Sequence, residues 1–158
     1  MRGVGAKVGS DADLTRQEED CEFCRIIRRE VPARIVCETD VALAFFPLKP
    51  AALGHTLVVP KEHVSDLLTV DEALAGQLMA TTVRVARAIN DALNPDGMNL
   101  ISSAGAAASQ TVFHLHFHLV PRWKNDHIPS IWPPPEPWPE AVKDDVAKLI
   151  RDACYEAR

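Results

Sequence analysis

The segment Phe113-His114-Leu115-His116-Phe117-His118-Leu119 places three imidazoles at every second position. In an extended strand successive side chains point to opposite faces. His114, His116 and His118 then share one face, while Phe113, Leu115, Phe117 and Leu119 share the other. The rings recur roughly every 7 Å along the strand, and each can accept, donate or coordinate near neutral pH. Two chemistries can use such a row. All three rings could ligate one metal ion. Alternatively, a neutral imidazole could attack phosphorus, forming a phosphoramidate that water resolves, with loop donors stabilising the charge on the phosphate oxygens. The upstream segment favours phosphorus chemistry. Residues 103–109 are all Ser, Ala or Gly, small enough for backbone N–H groups to approach an anion, and Gln110 and Thr111 add polar donors immediately before the histidines.

The surrounding pattern has to hold that row in place. Residues 22–29 (EFCRIIRR) read as a short helix ended near Pro32. Ile35–Cys37 and Val41–Phe46 read as strands separated by a polar turn, and His55–Val59 as a β-branched strand stopped by Pro60. Thr69 and Glu72 have the spacing of a capping box. Leu74, Leu78, Val85, Ile89 and Leu93 then recur on one face of a long helix that Pro95 and Gly97 end. Met98–Ser102 reads as a strand, 103–109 as a loop, and Phe113–Val120 as a strand stopped by Pro121. A proline-rich segment, 129–139, precedes a last helix from about Pro139 to Glu156 with Val142, Val146, Leu149 and Ile150 on one face. This order predicts an α+β fold with a mainly antiparallel central sheet, one long helix and several short ones. Residues 1–19, rich in Gly, Asp and Glu, read as a flexible tail, and residues 20–158 as a single domain with a C-terminal helical extension.

The 158 residues carry a formal net charge of −5. That argues against a broad nucleic-acid surface, which needs clustered Lys and Arg, but not against a small phosphate pocket. No apolar run approaches the ~20 residues of a membrane span, and the polar N-terminus lacks the apolar core of a secretory signal. A cytoplasmic chain with reduced thiols is expected. Cys21-x-x-Cys24 then has the spacing of two metal ligands, or of buried thiols beneath the first helix.

The stretch Gln110-Thr111-Val112-Phe113-His114-Leu115-His116-Phe117-His118 resembles the signature of the histidine triad family. The resemblance runs from about Cys21 to Trp123 and includes Phe23–Ala33 (FCRIIRREVPA), Leu43–Phe46 and Gly54–His63 (GHTLVVPKEH). It implies a nucleotide hydrolase or nucleotidyl transferase in which His116 attacks the α-phosphorus of a purine nucleotide. His118 would contact the phosphate, and Ser103, Gln110 and Thr111 would form the phosphate loop. Phe23, Ile26, Phe45 and Leu48 would line the nucleoside pocket. Implied substrates are nucleoside phosphoramidates, acyl-adenylates or dinucleoside polyphosphates; a nucleotide-binding regulatory module is the alternative. The family fold is commonly a homodimer.

Three positions depart from the family pattern. Pro47 stands where an Asp usually binds the ribose hydroxyls, Ser103 where Asn is common, and Ser109 where Gly is common. Members with the cysteine pair resemble a zinc-binding subset, which implies a structural zinc on Cys21, Cys24, His63 and His114. Cys37 and Cys154 read as apolar fillers, His55 as a strand-start residue and His127 as a surface-loop residue. Trp123, Trp132 and Trp138 read as hydrophobic pegs wrapped over the domain, or as a dimer contact.

Overall fold

The computed structural model describes residues 19–156, so most of the segment read as a tail lies outside the described residues. The described residues fall into two compact units, one ending at Asp126 and one beginning at His127. In the first unit the elements are α1 (Glu22–Ile27), β1 (Arg34–Glu38), β2 (Ala42–Phe46), β3 (Thr56–Pro60), α2 (Glu72–Leu93), β4 (Gly97–Ile101), a 3₁₀ turn at Ala106–Ala108 and β5 (Phe117–Arg122). The five strands form one antiparallel sheet in the order β1-β2-β3-β5-β4. The α+β architecture expected from the sequence is therefore present.

The period-two alternation of the strands sorts side chains into two apolar clusters. One contains Ala42, Ala44, Val58, Phe117 and Leu119, packed with Leu115 and with Leu78, Val85 and Ile89 from α2. The other joins Leu43, Phe45, Leu57 and Val59 to Cys21, Phe23, Cys24 and Ile26 from α1 and the residue before it. The histidines emerge on this second face.

Three sequence expectations need correction. The α2 cap is Asp71, whose carboxylate accepts from the N–H groups of Ala73 and Leu74; Thr69 instead bonds within the Asp66 turn. The histidine strand begins at Phe117 rather than Phe113. Residues 113–116 approach it as an irregular segment tied by the Leu115 N–H to the Val64 carbonyl at 2.6 Å, and Phe113 is exposed instead of sharing the buried face. Pro121 does not stop the strand. It pairs with Met98 on β4, whereas the pairing with β3 has already ended at Leu119, so its missing N–H interrupts no ladder bond.

The second unit contains α3 (Glu140–Glu156), with Val142, Val146, Leu149 and Ile150 exposed. Trp132 and Trp138 are also exposed; Trp123, in the first unit, is partly buried. No helix among the described residues is long and apolar enough to cross a membrane.

Candidate active site and metal centre

His114, His116 and His118 face three different environments. The His116 ring is buried, with Nδ1 2.7 Å from the carbonyl of His114. A carbonyl only accepts, so Nδ1 carries the proton and Nε2 keeps its lone pair. Burial lowers the His116 pKa, partly offset by this backbone bond, and keeps the ring neutral. Phe23 meets it edge-on at 5.2 Å, and the His118 ring lies 4.9 Å away.

His118 is oriented by a residue read from sequence only as a strand-start histidine. The Ala51 N–H donates to His55 Nδ1 at 3.0 Å. The neutral His55 ring therefore carries its proton on Nε2, which lies 2.9 Å from His118 Nδ1 and donates to it. The proton of His118 is left on its own Nε2. Burial lowers the His55 pKa. Burial, then the neighbouring His116 and His55, lower that of His118 to about 4. Gly54, at φ +88°, turns the chain into this histidine; a Cβ there would collide with Leu93 and crowd Pro121.

These shifts give a stability prediction. Unfolded histidines titrate near ~6.5, so between that pH and about 4 the unfolded chain binds more protons than the folded one. Stability should fall as pH falls through this window. Urea midpoints measured from pH 7 to pH 5 should decrease steadily; a midpoint that rises toward pH 5 would contradict the neutral pair.

A cavity of about 760 Å³ opens beside these rings, lined by His116, His118, Thr111, Phe23, Ile26 and Phe45, among others. Leu48 also lines it while remaining largely exposed. Thus the four residues expected to line a nucleoside pocket, both histidines and Thr111 come together. Ser103 and Gln110 do not line it. Gln110 is buried; its Oε1 accepts from the Gly105 N–H at 2.7 Å, and its Nε2 donates to the carbonyls of Ser65 and Val112. Both amide hydrogens are spent on backbone, so its observed contacts shape the loop rather than bind phosphate. Ser102, beside the predicted Ser103, donates to the His116 carbonyl at 3.1 Å. Its contact becomes visible only once β4 and β5 are paired.

His114 is fully buried and turned away from the cavity. Its Nε2 lies 2.9 Å from the Pro60 carbonyl and must donate to it. Nδ1 then offers a lone pair toward Cys21 Sγ at 3.4 Å and Cys24 Sγ at 3.5 Å, while His63 Nδ1 is 3.3 Å from Cys24 Sγ. All four donor atoms lie within 4.8 Å of one another. Tetrahedral zinc, with bonds near 2.3 Å to sulfur and 2.05 Å to nitrogen, requires S···N edges of roughly 3.5 Å. The residues fit that ion. They form the one compact His/Cys/Asp/Glu group found among the described residues, which leaves a single ion held by all three histidines of the row without support.

The HIT-domain family model matches residues 28–125. The chain belongs to the histidine triad (HIT) family. Among HIT relatives, an adenosine 5′-monophosphoramidase of Schizosaccharomyces pombe is 31% identical over 124 residues, 78% of this chain and 90% of that protein. An adenylylsulfatase of Arabidopsis thaliana is 35% identical over 122 residues, 77% of this chain and 62% of that protein. The crystal structure of a HIT family protein from Bacillus anthracis superposes with a TM-score of 0.79 at 32% identity, covering 85% of this chain and 97% of that one. A zinc-bound HIT protein from Mycobacterium smegmatis superposes with a TM-score of 0.67 at 33% identity, covering 89% and 96%.

Proposed function

We propose that this HIT protein is a nucleotide hydrolase or nucleotidyl transferase acting at the α-phosphorus of purine nucleoside phosphoramidates, acyl-adenylates or dinucleoside polyphosphates. The observation that carries the proposal is the anchoring of His116 Nδ1 on its own chain, which leaves an unprotonated Nε2 beside a nucleotide-sized cavity. The activities named for the fission yeast and Arabidopsis relatives are of this class.

In the first step the His116 Nε2 lone pair forms a bond to the α-phosphorus, and the bond from phosphorus to the leaving nitrogen or oxygen breaks. The Nε2–H of His118 donates a hydrogen bond to the phosphate oxygens as charge develops there, and the departing atom takes its proton from solvent. In the second step water attacks phosphorus and loses a proton to solvent; the N–P bond breaks, and the nucleoside monophosphate leaves with His116 restored. Thr111 contributes a donor to the phosphate oxygens, and Phe23, Ile26, Phe45 and Leu48 receive the nucleoside. Cys21, Cys24, His63 and His114 would hold a zinc ion whose chemistry is structural, fixing the segment before α1 beside the active strand. A homodimer in the cytoplasm, where these thiols stay reduced, completes the proposal.

The test is AMP release from adenosine 5′-phosphoramidate, adenylyl sulfate and diadenosine tetraphosphate. Turnover of at least one is expected. Tight AMP binding with no turnover of any would leave a nucleotide-binding module instead.

His55 acts here as a positioning residue, holding the proton of His118 on Nε2 without touching the substrate. His55→Ala should lower kcat about tenfold to a hundredfold with little change in KM. It should also move the acid limb of the kcat profile, because His118 loses the neighbour that fixes its tautomer. A rise in KM at constant kcat would show that His55 serves only binding.

A further inference from the structure

In this acidic chain the charged residues lining the cavity are two cations and one carboxylate: Arg34, Lys49 and Glu22. The two cations belong to one edge of the sheet. Arg34 opens β1 and pairs with Phe46, the last residue of β2. Pro47 and Leu48 follow, and Lys49 comes next. Glu22 belongs to the helical wall, with Phe23 and Ile26 on α1.

The sheet register places this edge at the nucleoside end. Phe45, Leu57 and His118 stand side by side across β2, β3 and β5. Phe45 is therefore about 10 Å from His118, two strand spacings away, and β1 is one spacing further. With phosphorus at His116 and His118, the sugar and base extend toward Phe45, Pro47 and Leu48, where Arg34 and Lys49 stand.

The nearby carboxylates Glu30 and Glu38 are engaged with other cations. Glu30 pairs with Arg25 and Arg28. Glu38 pairs with Arg29 and Lys61. Among the described residues Arg34 and Lys49 make no side-chain hydrogen bond or ion pair. The run Phe46-Pro47-Leu48 beside them offers no side-chain acceptor for a sugar hydroxyl, and Pro47 has no N–H. A ribose diol calls for acceptors. A phosphate ester calls for donors, and a guanidinium fork with an ammonium supplies them.

We propose that Arg34 and Lys49 form an anion subsite that takes a phosphate ester on the ribose of the bound nucleotide, so that the preferred substrates are ribose-phosphorylated nucleotides. This rests on the function proposed above, because it takes His116 and His118 as the α-phosphate end.

The experiment is calorimetric titration of the full chain with AMP, adenosine 3′,5′-bisphosphate and adenosine 2′,5′-bisphosphate. It is repeated with an Arg34→Gln, Lys49→Gln variant and at raised salt. At least one bisphosphate should bind about tenfold more tightly than AMP, as expected for two charge-assisted contacts at a screened rim. That ratio should shrink with salt and fall to about one in the variant. AMP binding with no bisphosphate preference, or a preference that survives in the variant, overturns the subsite and leaves the proposed function standing. Absence of binding by all three nucleotides overturns both.

Discussion

Replacing His116 by alanine is expected to lower AMP release from adenosine 5′-phosphoramidate by about four orders of magnitude or more, as for other lost nucleophiles. The ring is held at Nδ1 by the His114 carbonyl and edge-on by Phe23, and among the described residues no neighbouring group has the same unprotonated nitrogen beside the cavity. His118 cannot take over. Its Nδ1 accepts from His55, and its Nε2 carries the proton. Losing His118 should therefore cost less, about a hundredfold to a thousandfold, because it removes a hydrogen-bond donor to the developing phosphate charge and leaves the nucleophile. Retained circular dichroism in both variants would separate chemistry from unfolding. Residual activity in His116→Ala close to that of the intact protein would remove His116 from its role.

The second large effect is expected from the metal centre. The intact protein should contain about one zinc per chain, and a Cys21→Ser, Cys24→Ser variant should contain almost none. A bound metal contributes directly to folding free energy. Loss of about 3–5 kcal/mol would lower the melting temperature by roughly 10 °C in a domain of this size. AMP affinity should fall with it. Phe23 sits between the two cysteines in sequence, and its ring packs edge-on against His114, His116 and Phe45 at 5.8, 5.2 and 5.5 Å. Removing the thiols is expected to loosen a wall of the cavity, which Phe23 lines. Elemental analysis with melting and AMP titration reads all three quantities. Full zinc content in the double variant would place the ion elsewhere.

Period-two alternation made the proposed catalytic face legible in the sequence. The burial of Phe117 and Leu119 against α2 follows from it, as does the placement of His118 on the opposite face. The alternation could not give the strand's first residue. Residues 113–116 are set by a backbone bond to Val64 and by the Gln110 clamp on Ser65, contacts between segments about 50 residues apart. Thr69 and Asp71 are both good cap residues, and the helix starts after the one whose carboxylate reaches the free N–H groups of the first turn. His55 carried no local signal for orienting a residue 63 positions away. Two of the candidate metal ligands were legible as a cysteine pair, but His63 and His114 joined them only through resemblance. The fold supplies the physical reason, because α1 packs across the sheet and carries Cys21 and Cys24 to His114.

The most direct test of the central claim is rapid-quench mass spectrometry of the protein mixed with adenosine 5′-phosphoramidate, followed by peptide mapping. The proposed mechanism gives a transient adduct of one adenylyl group on the peptide containing residues 114–118, assigned to His116 by fragmentation and absent from the His116→Ala protein. An adduct mapping to His118 or to a cysteine, or steady turnover with no covalent species at any quench time, would contradict it.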